Sequence, residues 1–147
     1  MSRPAESPSK ACCVQYSIRS ASMQFARRVF IAAGVWGILV VGPMYFLESR
    51  INEQQPPPIT HPEYYYGFIG VTLSWQILYL IIGRHPIKYR TIMLVGIFAK
   101  TSYGIAACML YEAGRLPFVV FAVSLIDLVW AVLFAIAYGK TPERETS

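Results

Sequence analysis

The stretch TIMLVGIFAKTSYGIAACMLYEAGRLPFVVFAVSLIDLVWAVLFAIAYG, residues 91–139, decides the fold. It contains two apolar runs, Thr91 to Tyr111 and Leu116 to Gly139, of 21 and 24 residues. Each run is broken by one charge, Lys100 in the first and Asp127 in the second. A helix needs about 20 apolar residues to cross roughly 30 Å of hydrocarbon. Lipid cannot hydrogen-bond a bare backbone, so a run of this kind must be helical. Only Glu112-Ala113-Gly114-Arg115 separates the two. Gly114 suits a helix C-cap, and Pro117 can start the next helix. So short a link predicts a tight antiparallel hairpin.

The two charges fit that hairpin. Lys100 and Asp127 are equally far from the centre of the turn, each about 13 residues or roughly 20 Å along its helix. They are therefore expected at the same depth. Lys100 shares a row with Gly96, Gly104 and Cys108, and Asp127 shares one with Ala131, Ala135 and Gly139. Small residues mark surfaces where membrane helices approach closely, so both charges are expected to point inward. Ser124 and Tyr103, three residues from each, can complete their hydrogen bonds. Gln76 lies at a similar depth on the preceding span and extends the predicted polar cluster.

Two further apolar runs lie upstream, Val29 to Leu47 with 19 residues and Tyr64 to Gly83 with 20. The sequence thus predicts an all-α bundle of four transmembrane helices, with spans at about 29–47, 64–83, 91–111 and 116–139. Pro43 removes a helix hydrogen bond and predicts a kink around Leu39 to Pro43. Composition agrees: 55% of the 147 residues are hydrophobic and 14% charged, and the mean hydropathy is +0.44. The net charge of +5 does not imply nucleic acid, because the basic residues flank apolar runs. Ten of them fall in the N-terminal tail, the second loop and the C-terminal tail, against Arg50 and Arg115 in the other two loops. That asymmetry predicts a multi-pass protein with both termini in the cytoplasm.

Residues 1–22 are polar, lack the apolar core of a secretory signal and read as a disordered tail; 23–140 form the membrane domain and 141–147 a C-terminal tail. Cys12-Cys13 read either as a lipidation site or as incidental. Pro56-Pro57-Pro58 predict an extended stretch in the first loop. Tyr45, Tyr64, Tyr65, Tyr66 and Tyr111 gather at one predicted interface, Tyr89 and Tyr138 at the other, as aromatic belts do. Arg84 to Arg90 form a basic segment suited to anionic lipid.

Two candidate sites follow. The intramembrane cluster of Lys100, Asp127, Gln76, Tyr103 and Ser124 reads as a register-fixing salt bridge or as a polar pocket; ionisable residues at this depth serve either purpose. At the outer face, His61, Glu63 and Glu48 could form a metal or acid–base group, while Pro62 and Glu63 equally suit the first turn of a solvated helix start. No metal and no cofactor is expected, for no zinc, phosphate-loop, nucleophile-elbow or dinucleotide motif occurs.

The residues His61-Pro62-Glu63-Tyr64-Tyr65-Tyr66-Gly67-Phe68, Trp75-Gln76, Tyr89-Arg90, Lys100, Tyr103-Gly104 and Asp127 resemble a group of small, functionally uncharacterised bacterial four-helix membrane proteins, across about residues 23 to 140. More loosely, the architecture is similar to DoxX-like proteins, some of which accompany membrane redox enzymes. The resemblance implies the fold and a bacterial inner-membrane setting. The expected role is a non-enzymatic small-molecule binder or accessory subunit built around the Lys–Asp pair, with membrane lipids, and a larger complex or self-association, as partners. The alternatives are a membrane-embedded enzyme acting on a lipid or isoprenoid, and a small oligomeric transporter.

Overall fold

Helix is the one conformation that satisfies the backbone of an apolar run in hydrocarbon, and the structure, a computed structural model, follows this rule. It describes residues 8–55 and 57–143, with side chains from residue 20. Five helices occur in the order α1 Pro8–Val41, α2 Glu48–Gln54, α3 Pro62–Arg84, α4 Arg90–Glu112 and α5 Phe118–Lys140, with no strand among the described residues. Four are long and apolar enough to span a membrane: Ser20–Phe46, Pro62–Arg84, Arg90–Glu112 and Phe118–Lys140. The chain is a multi-pass, all-α membrane protein.

The helix ends follow local chemistry. Pro62 opens α3, where its missing N–H is not needed, and Glu63 follows in the positive first turn. Arg84 and Lys140 lie in the last turns of α3 and α5, near the negative helix ends. The turn between α4 and α5 closes on Gly114, at φ 66°. The Arg115 N–H donates to the Leu110 carbonyl at 2.9 Å, and the Gly114 N–H to that of Tyr111 at 3.0 Å. This pair of bonds is the Schellman closure, which requires a left-handed residue at that position. The third and fourth spans are therefore a tight antiparallel hairpin, with Pro117 capping α5 from an extended conformation.

The structure differs from the sequence reading in three places. Residues 8–22, read as a tail, continue α1 toward the N-terminus; residues 1–7 lie outside the described residues. Pro8 suits a first helical position, and each residue added to an existing helix gains a bond without a new nucleus. Near Pro43 the α-helix becomes a 3-10 turn, Gly42–Phe46, instead of kinking and continuing. Pro43 cannot donate to the Leu39 carbonyl, so the α ladder stops there. The first loop begins as α2, a short helix that the sequence reading did not include, ahead of its Pro56–Pro58 stretch, and the Asn52 side-chain oxygen accepts the Ile59 N–H at 2.7 Å. Pro56 lies outside the described residues.

Packing arranges the spans as two pairs. α1 lies along α3, and α4 along α5; α1 also touches α5, while the backbones of α3 and α4 scarcely approach. The end carrying Arg27, Arg28, Arg84, Lys88, Arg90 and Lys140 is called the basic end below, and the opposite one the far end. One core joins the pairs: Ala26, Phe30 and Ala33 of α1, Tyr79 and Ile82 of α3, Met93 of α4, and Phe134 and Ala137 of α5. Phe30 and Phe134 stack at 4.2 Å between centroids, with Tyr79 edge-on to Phe134 at 5.0 Å. Between helices in lipid, close packing of this kind replaces the hydrophobic effect as the attraction.

Candidate functional site

The centre of the site is set by the α4–α5 hairpin. Its short turn holds the helices in register, so residues equidistant from it meet. Lys100 Nζ donates to Asp127 Oδ1 at 2.5 Å. The two side chains keep 14% and 22% of their surface exposed. An isolated charge at this depth costs several kcal/mol; a hydrogen-bonded pair recovers most of that.

The aromatic floor comes from α3. Lys100 Nζ stands 5.8 Å from the centre of the Tyr79 ring, within cation–π range. Tyr79 is buried, and its ring lies 3.2 Å from where a Cβ on Gly96 would be. Glycine at 96 thus lets the ring slide beneath the lysine. The sequence reading missed Tyr79. The signal was present: Ile69, Gln76, Tyr79 and Gly83 repeat at helical spacing and mark the buried stripe of α3.

Tyr103 and Ser124 do come together, but apart from the ion pair. Their hydroxyls are 3.2 Å apart, one turn nearer the far end, and Ser124 donates to the Val120 carbonyl at 2.8 Å. They brace the two helices and, among the described residues, make no hydrogen bond to Lys100 or Asp127.

Gln76 belongs elsewhere. It is buried, its amide N–H donates to the Thr72 carbonyl at 3.0 Å, and its side chain packs on Gly37 of α1. A Cβ added to Gly37 would collide with the Gln76 amide. The amide oxygen has no N–H or O–H donor among the described residues and occupies the space that a side chain at Gly37 would fill. The sequence reading grouped Gln76 with Lys100, but the face differs: α3 turns Gln76 toward Gly37 of α1 while Tyr79 looks at Lys100.

The rows of small residues are only half in contact. Gly96, Gly104 and Ala131 are buried, and Leu128 fills the space beside Gly104, whereas Ala135 and Gly139 are exposed. At 3.6 residues per turn an i+4 row drifts around the helix. The α5 interior instead follows Ser124, Ala131, Phe134 and Ala137.

At the far end, His61 Nδ1 lies 3.1 Å from Glu63 Oε1, both side chains well exposed. Glu48 accepts a hydrogen bond from the Tyr66 hydroxyl at 2.6 Å, so these three residues fall into two separate contacts. Tyr65 donates to the Met44 carbonyl at 2.6 Å, and Tyr45 stacks on Tyr66. The arrangement ties the 3-10 turn to α3. Among the described residues no group of three or more His, Cys, Asp or Glu is placed to hold a metal ion.

At the basic end, Arg90 donates through Nε to the Thr141 carbonyl at 2.8 Å, pairs with Glu143 at 3.0 Å, and covers the Tyr138 ring at 4.1 Å. This clamp fastens the start of α4 to the end of α5. Lys88 stands over Tyr89, and Lys140 over Phe25. Arg144 and the side chains of Cys12 and Cys13 lie outside the described residues.

Comparison of the chain with protein-family models, with curated proteins and with solved structures returns no match.

Proposed function

We propose that this four-span membrane protein binds a small molecule at the Lys100–Asp127 pair, without catalysing its conversion, either alone or as an accessory subunit of a larger membrane complex. One observation carries the reading. The pair is the polar centre of the span region and keeps part of both side chains exposed, whereas Gln76 and Ser124 are buried and bonded within their own helices. A purely register-fixing bridge has no use for exposed surface, whatever the balance of attraction and desolvation. A binding site needs access. Mutual neutralisation of the two groups favours recognition over acid–base turnover, since each already occupies the other's charge.

The setting that fits is a bacterial inner membrane with both termini in the cytoplasm. The basic end then faces the anionic inner leaflet, where each exposed Lys or Arg contributes about 1 kcal/mol.

The test is mass spectrometry of the protein released intact from its own membranes in mild detergent, wild type beside the Lys100→Met/Asp127→Leu double variant. That variant removes both charges and keeps the bulk. A bound small molecule on the wild type that is missing from the folded double variant supports the reading. Identical spectra for the two overturn it. Labelling position 55 and the C-terminus in intact cells tests the orientation; a C-terminus accessible from outside refutes it.

A further inference from the structure

The cations at the basic end are not equally engaged. Among the described residues one carboxylate lies there, Glu143, and Arg90 holds it. Arg90 also covers Tyr138, Lys140 stands over Phe25 and Lys88 over Tyr89. Arg27 and Arg28 are exposed and, among the described residues, pair with no carboxylate and no ring.

Their place on α1 follows from its period. Gln24, Arg27 and Arg28 are surface neighbours at i, i+3 and i+4, and the same stripe continues through Ile31, Ala32 and Val35. These six residues line an open groove of about 690 Å³ along α1. One edge of the stripe meets the α1–α3 seam, since a Cβ on Gly83 would lie 2.7 Å from the Ile31 side chain and 3.1 Å from the Arg27 carbonyl. That contact also fixes the depth. Val29 opens the apolar run of the first span and Gly83 closes that of the second. The two arginines therefore stand where hydrocarbon gives way to head groups. Toward the basic end the wall offers two guanidiniums and an amide. Toward the far end it offers about 10 Å of apolar surface, from Arg28 to Val35.

Charge and shape limit what fits. Each guanidinium presents five N–H donors and no acceptor, in a fork that matches phosphate oxygens. A zwitterionic lipid would bring a further cation to a place that already has two. A small soluble anion would leave the apolar wall uncovered. A molecule with a net negative phosphate head and a hydrocarbon tail satisfies both parts, and the open side of the groove gives it entry from the bilayer.

We infer that this groove holds one anionic phospholipid, its phosphate on Arg27 and Arg28 beside Gln24, and one acyl chain along Ile31, Ala32 and Val35. The site is separate from the Lys100–Asp127 pair and stands or falls independently of it.

The experiment uses the full chain in alkyl maltoside micelles at about 0.15 M salt, where diffuse attraction is screened beyond roughly 8 Å. The probes are phosphatidylglycerol, phosphatidylcholine with the same chains, glycerol phosphate and inorganic phosphate. The rise of the melting midpoint with probe concentration reports binding, read against each protein's own lipid-free midpoint. Phosphatidylglycerol is expected to raise the midpoint of the wild type, and the other three to leave it unchanged at the same concentration. Arg27→Gln/Arg28→Gln should need about tenfold more lipid for the same rise, the loss expected for charge-assisted hydrogen bonds. Arg84→Gln/Lys88→Gln removes the same charge from the same end, at residues that do not line this groove, and should shift by no more than about twofold. Equal losses in the two variants would mean diffuse attraction of surrounding lipid only and overturn the site. An equal rise with phosphatidylcholine removes the requirement for net charge, and an equal rise with glycerol phosphate or inorganic phosphate removes the acyl chain; either overturns the inference. So does a wild type that no probe stabilises.

Discussion

Removing one member of the mid-span pair should cost more than removing both. In Lys100→Met the carboxyl of Asp127 loses the one cation it pairs with among the described residues, while only 22% of its side-chain surface is exposed. Breaking a buried pair costs about 3–5 kcal/mol, and the partial exposure of both groups places each single variant at the low end, about 3 kcal/mol. Asp127→Leu should cost a similar amount, with the Tyr79 ring holding back part of the lysine's loss. The double variant pairs two apolar side chains of nearly the same bulk and should fall within about 1 kcal/mol of wild type. Two additive losses would total about 6 kcal/mol, so the cycle should show an interaction of about 5 kcal/mol. The assay is reversible unfolding in mixed micelles, followed by helical circular dichroism at constant lipid and detergent. Additive losses, or single variants as stable as wild type, would refute the claim that this pair neutralises itself at mid-span.

Three further outcomes follow from the geometry. Gly37→Ala should destabilise by about 1–3 kcal/mol because its Cβ meets the Gln76 amide, and adding Gln76→Ala should recover most of that; failure of the rescue in the same unfolding assay would remove Gln76 from the α1–α3 seam. Gly114→Ala should lose about 1 kcal/mol, since φ 66° strains any residue with a Cβ; an unchanged midpoint would contradict the Schellman closure. Phe134→Ala should cost about 3–5 kcal/mol, whereas Phe118→Ala, at a position 65% exposed, should be nearly silent by the same measurement; equal losses would displace the shared core from the basic half.

The four spans were legible from the sequence because hydrocarbon partitions the chain residue by residue, and length and charge alone reveal such runs. The meeting of Lys100 and Asp127 was legible too. A four-residue link leaves the following helix one course, back along its predecessor, and equal distance from the turn then sets equal depth. The choice of neighbours was not legible. Gln76 and Tyr79 lie on the same helix within one turn of each other, yet one packs against Gly37 and the other beneath Lys100. Hydropathy cannot separate them, because in a membrane the side facing lipid is as apolar as the side facing a helix. Only the tertiary structure decided that α3 turns toward α1 and that the shared core lies in the basic half of the bundle. These outcomes depend on where glycines let backbones close and where aromatic rings fill the space, which is a property of surfaces fitted in three dimensions and has no period along the chain.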